Sequence, residues 1–274
     1  MDTNKKILFG AIGAAIVIGG AAIGFVLSQT PEKADLSTIH TEAASEAPKE
    51  TMAPSSAPET TAAETASQTS ESSSVSASIK TYTSGKITIE YPAVDKMEDS
   101  TKQEQVNDLL KSNALSIIRA NGIDESKDSL AVKCKVVSVD RKRITAVYTG
   151  TLFSEGAAYP PNLFYTNTVN LTQVQDLGLG DFTDAYTMAG YVLSDDVVFS
   201  GLGAEMQAQV LEYRSTLDID TINKIFAEAD FPLSSETEWP ESFSYEKQGT
   251  IYFSLPVPHA LGDYVIVSFD PSTK

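Results

Sequence analysis

The chain has 274 residues, a formal net charge of −17 and one cysteine. Acidity without a basic cluster argues against nucleic acid, whose phosphates would repel the chain, and against electrostatic adhesion to anionic lipid. The single Cys134 excludes an intramolecular disulfide, and a disulfide-free domain of this size fits a bacterial surface better than a small secreted animal scaffold.

Residues 1–6 form a short head with Lys5 and Lys6. Residues 7–27, ILFGAIGAAIVIGGAAIGFVL, carry no charge. At about 1.5 Å rise per residue they make a helix of roughly 31 Å, the thickness of a bilayer's hydrocarbon core. We expect a single membrane span. The lysines before it, against Glu32 and Asp35 after it, place the N-terminus in the cytoplasm and the rest outside. The rival reading, a cleaved signal peptide, has a shorter apolar core and an A-x-A site that does not follow here. Gly20 and Gly24 form a G-x-x-x-G pair that would allow close helix contact.

Residues 28–79 are rich in Ser, Thr, Ala, Glu and Pro and hold two lysines against eight acids. Such a segment cannot bury enough apolar surface to offset its ordering entropy, so we expect a disordered stalk. Residues 80–274 regain regular apolar spacing and are expected to form the extracytoplasmic domain, with possible halves 80–181 and 182–274. They hold sixteen basic and twenty-eight acidic residues, a net charge of −12.

Within the domain, Lys86–Tyr91 alternates and reads as a strand. Ser100–Asn121 carries Val106, Leu109, Leu110, Ala114, Ile117 and Ile118 at helical spacing, with Asp99 or Ser100 as cap and Gly122 as stop. Ser129–Val139 and Ile144–Leu152 are strands joined by the polar Asp140–Arg143, and Phe164–Leu171 continues the meander. Cys134 falls on the alternating apolar side of its strand and reads as a buried small hydrophobe. Helices are expected over Thr183–Val192, Glu205–Tyr213 and Asp220–Ala229. Strands follow over Phe243–Lys247, Thr250–Leu255 and Tyr264–Phe269. Strands, then helices, then strands predict an α+β fold with mainly antiparallel sheet and packed helices in two closely associated halves.

Chemical signatures are sparse. The domain's one histidine, His259, cannot build a two-His zinc site, and its Pro258-His259-Ala260 setting reads as a surface loop. Hydrolase and P-loop motifs are absent, and no motif calls for a cofactor or metal. Asp176, Asp181, Asp184, Asp195, Asp196, Asp218, Asp220, Glu238 and Glu241 supply carboxylates for a glycan hydrolase if two of them meet across a cleft. Solvated faces are the plainer reading of them. Asn170-Leu-Thr172 is a formal glycosylation sequon, with meaning only in a host that uses that pathway.

The most unusual stretch is Glu155–Asn162, EGAAYPPN, followed by Leu163-Phe164-Tyr165. Tyr159, Asn162, Phe164 and Tyr165 are the candidate binding residues, because rigid aromatics in a loop suit recognition. The competing reading is a stiff Pro160-Pro161 turn with the aromatics packed inward.

The motifs Tyr91-Pro92, Val106-Asn107, Gly156–Pro160 and Asn167–Leu171 together resemble the extracellular domain of RsiV-like anti-sigma factors. So do Phe243–Tyr245, Thr250–Phe253 and Gly262–Val267. The first half also resembles the N-terminal module of peptidoglycan deacetylases. The chain departs from the pattern where Ala158-Tyr159 replaces a histidine region and Asn170 stands for an aspartate. The resemblance implies two packed α+β halves that bind lysozyme. The anti-sigma role needs a cytoplasmic domain that six residues cannot supply, and the deacetylase role needs metal-binding histidines that this sequence lacks. The expectation is therefore a non-enzymatic, single-pass cell-surface binding module for peptidoglycan or lysozyme. A carboxylate-based hydrolase and an envelope scaffold are the alternatives, and the sequence leaves the oligomeric state open.

Overall fold

The computed structural model describes residues 74–235 and 238–273. The expected membrane span, and all but the end of the expected stalk, lie outside the described residues. No helix among the described residues is long and apolar enough to cross a membrane.

Ten strands form two sheets. The first sheet has strands β1 (Ser76–Ser84), β2 (Ile87–Asp95), β3 (Ser129–Val139), β4 (Arg143–Phe153), β5 (Asn162–Asn170) and β6 (Gln175–Leu177), side by side in chain order. All neighbours are antiparallel except β2 and β3, which are parallel. A parallel pair needs a crossover, and helix α1 (Ser100–Ala120) supplies it.

Asp99 starts α1, its carboxylate accepting from the N–H groups of Thr101 and Lys102 at 3.0 Å each. The helix stops where Gly122 takes a φ of 61°. Its 3–4 spacing buries Val106, Leu110, Ala114 and Ile117. Ala114 and Ile117 pack on Ile87, Ile89, Leu130, Val132, Ala146, Tyr148 and Tyr165 of the sheet. Each such side chain contributes roughly 1.5–3 kcal/mol on full burial. The β3–β4 turn forms because Asp140 Oδ1 accepts from the N–H groups of Lys142 (2.6 Å) and Arg143 (2.9 Å).

The second half begins with α2 (Leu179–Phe182) and α3 (Ala185–Leu193). It continues through β7 (Val198–Ser200), α4 (Ala204–Arg214) and α5 (Ile219–Ala227), and closes with β8 (Ser244–Lys247), β9 (Thr250–Pro256) and β10 (Tyr264–Phe269). Its sheet runs β7-β10-β9-β8, all antiparallel. Met188, Ala189 and Val192 of α3 and Ile222 and Phe226 of α5 cover Ile251, Phe253, Leu255, Val265 and Val267.

The α+β class and the mainly antiparallel sheets agree with the sequence expectation. Four elements went unforeseen: β1, β6, β7 and α2. Ser76–Ile79, placed by composition at the end of the stalk, are the first four residues of β1. Their strand character comes from pairing, Ser76 opposite Asp95 and Ser84 opposite Ile87.

The halves are sewn together by side chains. Phe231, Trp239 and Phe243, from the loop before β8 and its edge, pack into the core beneath α1. Trp239 meets Tyr165 edge-on at 5.3 Å, and Tyr165 stacks flat on Tyr148 at 4.3 Å. Asp230 is buried between the halves. It accepts from the backbone N–H of Leu179 (2.8 Å) and from the N–H and hydroxyl of Ser244 (2.5 Å each). Thr166 of β5 donates to the Ser244 carbonyl, and Arg143 of β4 pairs with Glu246 of β8.

Candidate functional site

Register places the candidate residues. Ser76, Asp95, Val139, Arg143 and Asn170 share one end of the first sheet, where the chain comes in from residue 75. Ser84, Ile87, Ser129, Phe153 and Asn162 mark the opposite, distal end. Nine strand residues separate the two ends along β1, about 30 Å at roughly 3.3 Å per residue.

The EGAAYPPN loop is the β4–β5 connection at that distal end. Its first turn closes by a hydrogen bond from Ala157 N–H to the Ser154 carbonyl (3.0 Å), with Gly156 at a φ of 81°. Asp128 accepts from Glu155 N–H at 3.1 Å and moors the turn to the segment before β3. Pro160 and Pro161 then lead into Asn162.

The partner surface comes from 101 residues away in sequence. Pro258 stops β9, a single 3₁₀ turn spans His259–Leu261, and Gly262 reverses the chain at a φ of 99°. Asp263 follows at a φ of 73°, its carbonyl accepting from Val257 N–H at 3.0 Å. This turn projects the Asp263 carboxylate toward Asn162. Oδ2 accepts from the Asn162 backbone N–H at 2.7 Å and from its side-chain amide at 3.2 Å. Oδ1 meets His259 Nδ1 at 2.8 Å. The Tyr159 ring lies 5.7 Å from the imidazole and is 73 % exposed. Beneath them Phe164 and Tyr264 stack at 5.0 Å. Burial and the neighbouring Asp263 push the Tyr264 phenol above its ordinary range, so it stays protonated.

Tyr159, Asn162 and Phe164 therefore gather in one place, against His259, Asp263 and Tyr264. Tyr165 does not. It is fully buried, and its hydroxyl donates to the Ala114 carbonyl of α1 at 3.2 Å. Strand alternation is the reason. On β5, Asn162 and Phe164 face the second half, and Tyr165 faces α1. His259 is an exposed turn residue, as expected of its loop, but it is paired. Asp263 lies in no candidate motif of the sequence. The local signal was the His-x-x-Gly-Asp spacing across one tight turn.

Phe153, 54 % exposed, ends β4 beside Ser129. Two residues on, the Glu155 N–H donates to Asp128, which also accepts from the Asp124 N–H at 2.9 Å, and the Asp124 carboxyl is held below the usual range by Ser126. The distal end thus combines exposed aromatic rings with acids.

Four of the other carboxylates have structural roles. Asp181, Asp184 and Asp218 bond helix-start N–H groups. Asp176 is buried, and Asn113 and Asn167 clamp it at 2.8 Å each, while desolvation pushes its carboxyl up. Asn170 closes a turn by accepting from the N–H groups of Thr172 and Gln173. The Cys134 thiol is pushed up to about 12 by burial and by Glu90. Among the described residues no group of three or more His, Cys, Asp or Glu is gathered to hold a metal ion.

No family model and no curated protein matches the sequence. Two solved structures of the DUF3298 family are similar to it. One, from Bacteroides fragilis, is 13 % identical and has a TM-score of 0.39, with 73 % of this chain and 90 % of that one covered. The other, from Pseudomonas aeruginosa PAO1, is 11 % identical with a TM-score of 0.33, covering 66 % and 81 %. Both likenesses are coarse.

Proposed function

We propose that the chain is a membrane-anchored, non-enzymatic cell-surface binding module whose ligand is a cell-wall glycan or a wall-directed protein such as lysozyme. One observation carries this reading. Tyr159 is presented to solvent at the distal end by a loop that the Asp263 carboxylate ties down through Asn162 while orienting His259. A ring and an imidazole held in place lose little freedom on binding, which favours recognition. The net charge of −12 over residues 80–274 suits a basic protein, since complementary fields speed encounter.

The test is retention of the full chain, in lipid nanodiscs, on immobilised lysozyme and on sedimented peptidoglycan. Retention on at least one is expected, and the lysozyme complex should weaken as salt rises. Failure to bind either at low ionic strength would sink the proposal.

A further inference from the structure

The two loops that build the distal face, 154–161 and 258–263, carry Glu155 and Asp263 and no lysine or arginine. The Asp263 side chain keeps 19 % of its surface open. A carboxylate offers about four acceptor positions. Oδ2 uses two on the backbone and side-chain N–H groups of Asn162, and Oδ1 faces one imidazole nitrogen of His259. One acceptor position is left, on Oδ1. The exposed Tyr159 ring has the same imidazole as its neighbour, so an open π face and a partly open carboxylate oxygen share one small area.

The surrounding charges leave this area negative. Helix α4 packs against the His259–Leu261 turn and brings Glu205 and Glu212. Its one cation, Arg214, is held by Asp195 and by the carbonyls of Val192 and Ser194. On β3, Lys133 is level with Phe164 through Thr149 of β4, and it pairs with Glu90 at 2.6 Å. Lys135 lies two residues further from the distal end. Lys127 pairs with Asp124 at 3.6 Å beside Glu125 and Asp128. Lys86 sits in the β1–β2 turn, with β3 and β4 between it and β5.

We propose that Tyr159 and Asp263 form a guanidinium site for an arginine side chain of a partner protein. The guanidinium lies on the Tyr159 ring and donates an N–H to the remaining acceptor position of Asp263 Oδ1. Arginine suits this pair better than lysine. Its charged group is planar, stacks on an aromatic face and is weakly hydrated, whereas an ammonium is a compact, strongly hydrated point charge. Asn162 and His259 are positioning residues, which hold the carboxylate where the guanidinium meets it. The inference rests on the binding role proposed above and narrows its ligand to a protein that exposes an arginine.

The probes are lysozyme, lysozyme with its arginines blocked by phenylglyoxal, and lysozyme acetylated on lysine to the same net charge. Each is titrated against the full chain in nanodiscs. Histidine-selective ¹⁵N labelling adds a local readout, because the chain has two histidines, His40 and His259. Blocking arginine should weaken binding about tenfold more than acetylating lysine. Unmodified lysozyme should move the His259 imidazole signals, and the arginine-blocked protein should leave them in place. Tyr159→Leu keeps an apolar side chain and removes the ring. Asp263→Asn keeps an acceptor for the Asn162 N–H and suits the φ of 73°. Each variant should lose the preference for arginine. Equal weakening by the two modifications, unmoved His259 signals in the lysozyme complex, or an arginine preference that survives in both variants overturns the inference and leaves the binding role standing. Retention on peptidoglycan without any lysozyme complex does the same. Retention on neither overturns both.

Discussion

At the residue scale, Asp230 shows how burial and hydrogen bonding oppose each other. Desolvation pushes its carboxyl up to about 7, and donors from Ser244, Leu179 and Thr166 pull it back. An unfolded aspartate titrates near 3.9, so the folded state holds the proton more tightly. The stability Asp230 contributes is fully present below about pH 4 and is lost as pH rises through about 7, a change on the order of a few kcal/mol. Asp230→Asn removes this titration. The stability gap between the native protein and the variant, from urea unfolding, should therefore be widest near pH 4 and narrow towards pH 8. A gap that widens with pH would show the carboxylate to be the favoured form. Cys134 gives a simpler case, since its thiol at about 12 supplies almost no thiolate at pH 8. Mass spectrometry after iodoacetamide treatment should find it largely unmodified when native and fully modified in urea.

At the element scale, periodicity made some of the fold legible. The apolar stripe of Val106, Leu110, Ala114 and Ile117 located α1 with its Asp99 cap, and β3, β4, β9 and β10 alternate over enough residues to be read directly. β6, β7 and α2 are three or four residues long and have no period to detect. β1, Ser-Ala-Ser-Ile-Lys-Thr-Tyr-Thr-Ser, shares the composition of the segment before it and is a strand because β2 pairs with it. The candidate site was half legible for a related reason. A Gly/Pro/Tyr loop stands out locally, but the 101-residue separation of Asn162 from Asp263 is invisible to any local pattern. The parity that sends Tyr165 inward instead of beside Phe164 depends on which face α1 covers. Ile117 is fully buried against the first sheet, so Ile117→Ala should cost about 2–5 kcal/mol in chemical unfolding. Asp99→Ala, which removes only the cap, should cost about 0.5–2 kcal/mol.

At the scale of the whole molecule, the two sheets have their own helical covers, but Phe231, Trp239 and Phe243 belong to the core of the first. The halves should then unfold together. Trp239 is the chain's one tryptophan, so its fluorescence reports this junction, and its transition in urea should coincide with that of far-UV circular dichroism. Two separated transitions would mean that the halves are independent. The same junction brings the 258–263 turn to the β4–β5 loop, and so builds the distal face from both halves. The most direct measurement is the affinity of the full chain in nanodiscs for lysozyme and for peptidoglycan, compared with Tyr159→Ala and Asp263→Asn. The account predicts that both variants keep the native circular dichroism and bind whichever ligand is retained at least about tenfold more weakly, as expected for loss of a central anchor. Unchanged affinity in both variants would place the binding surface elsewhere and contradict it.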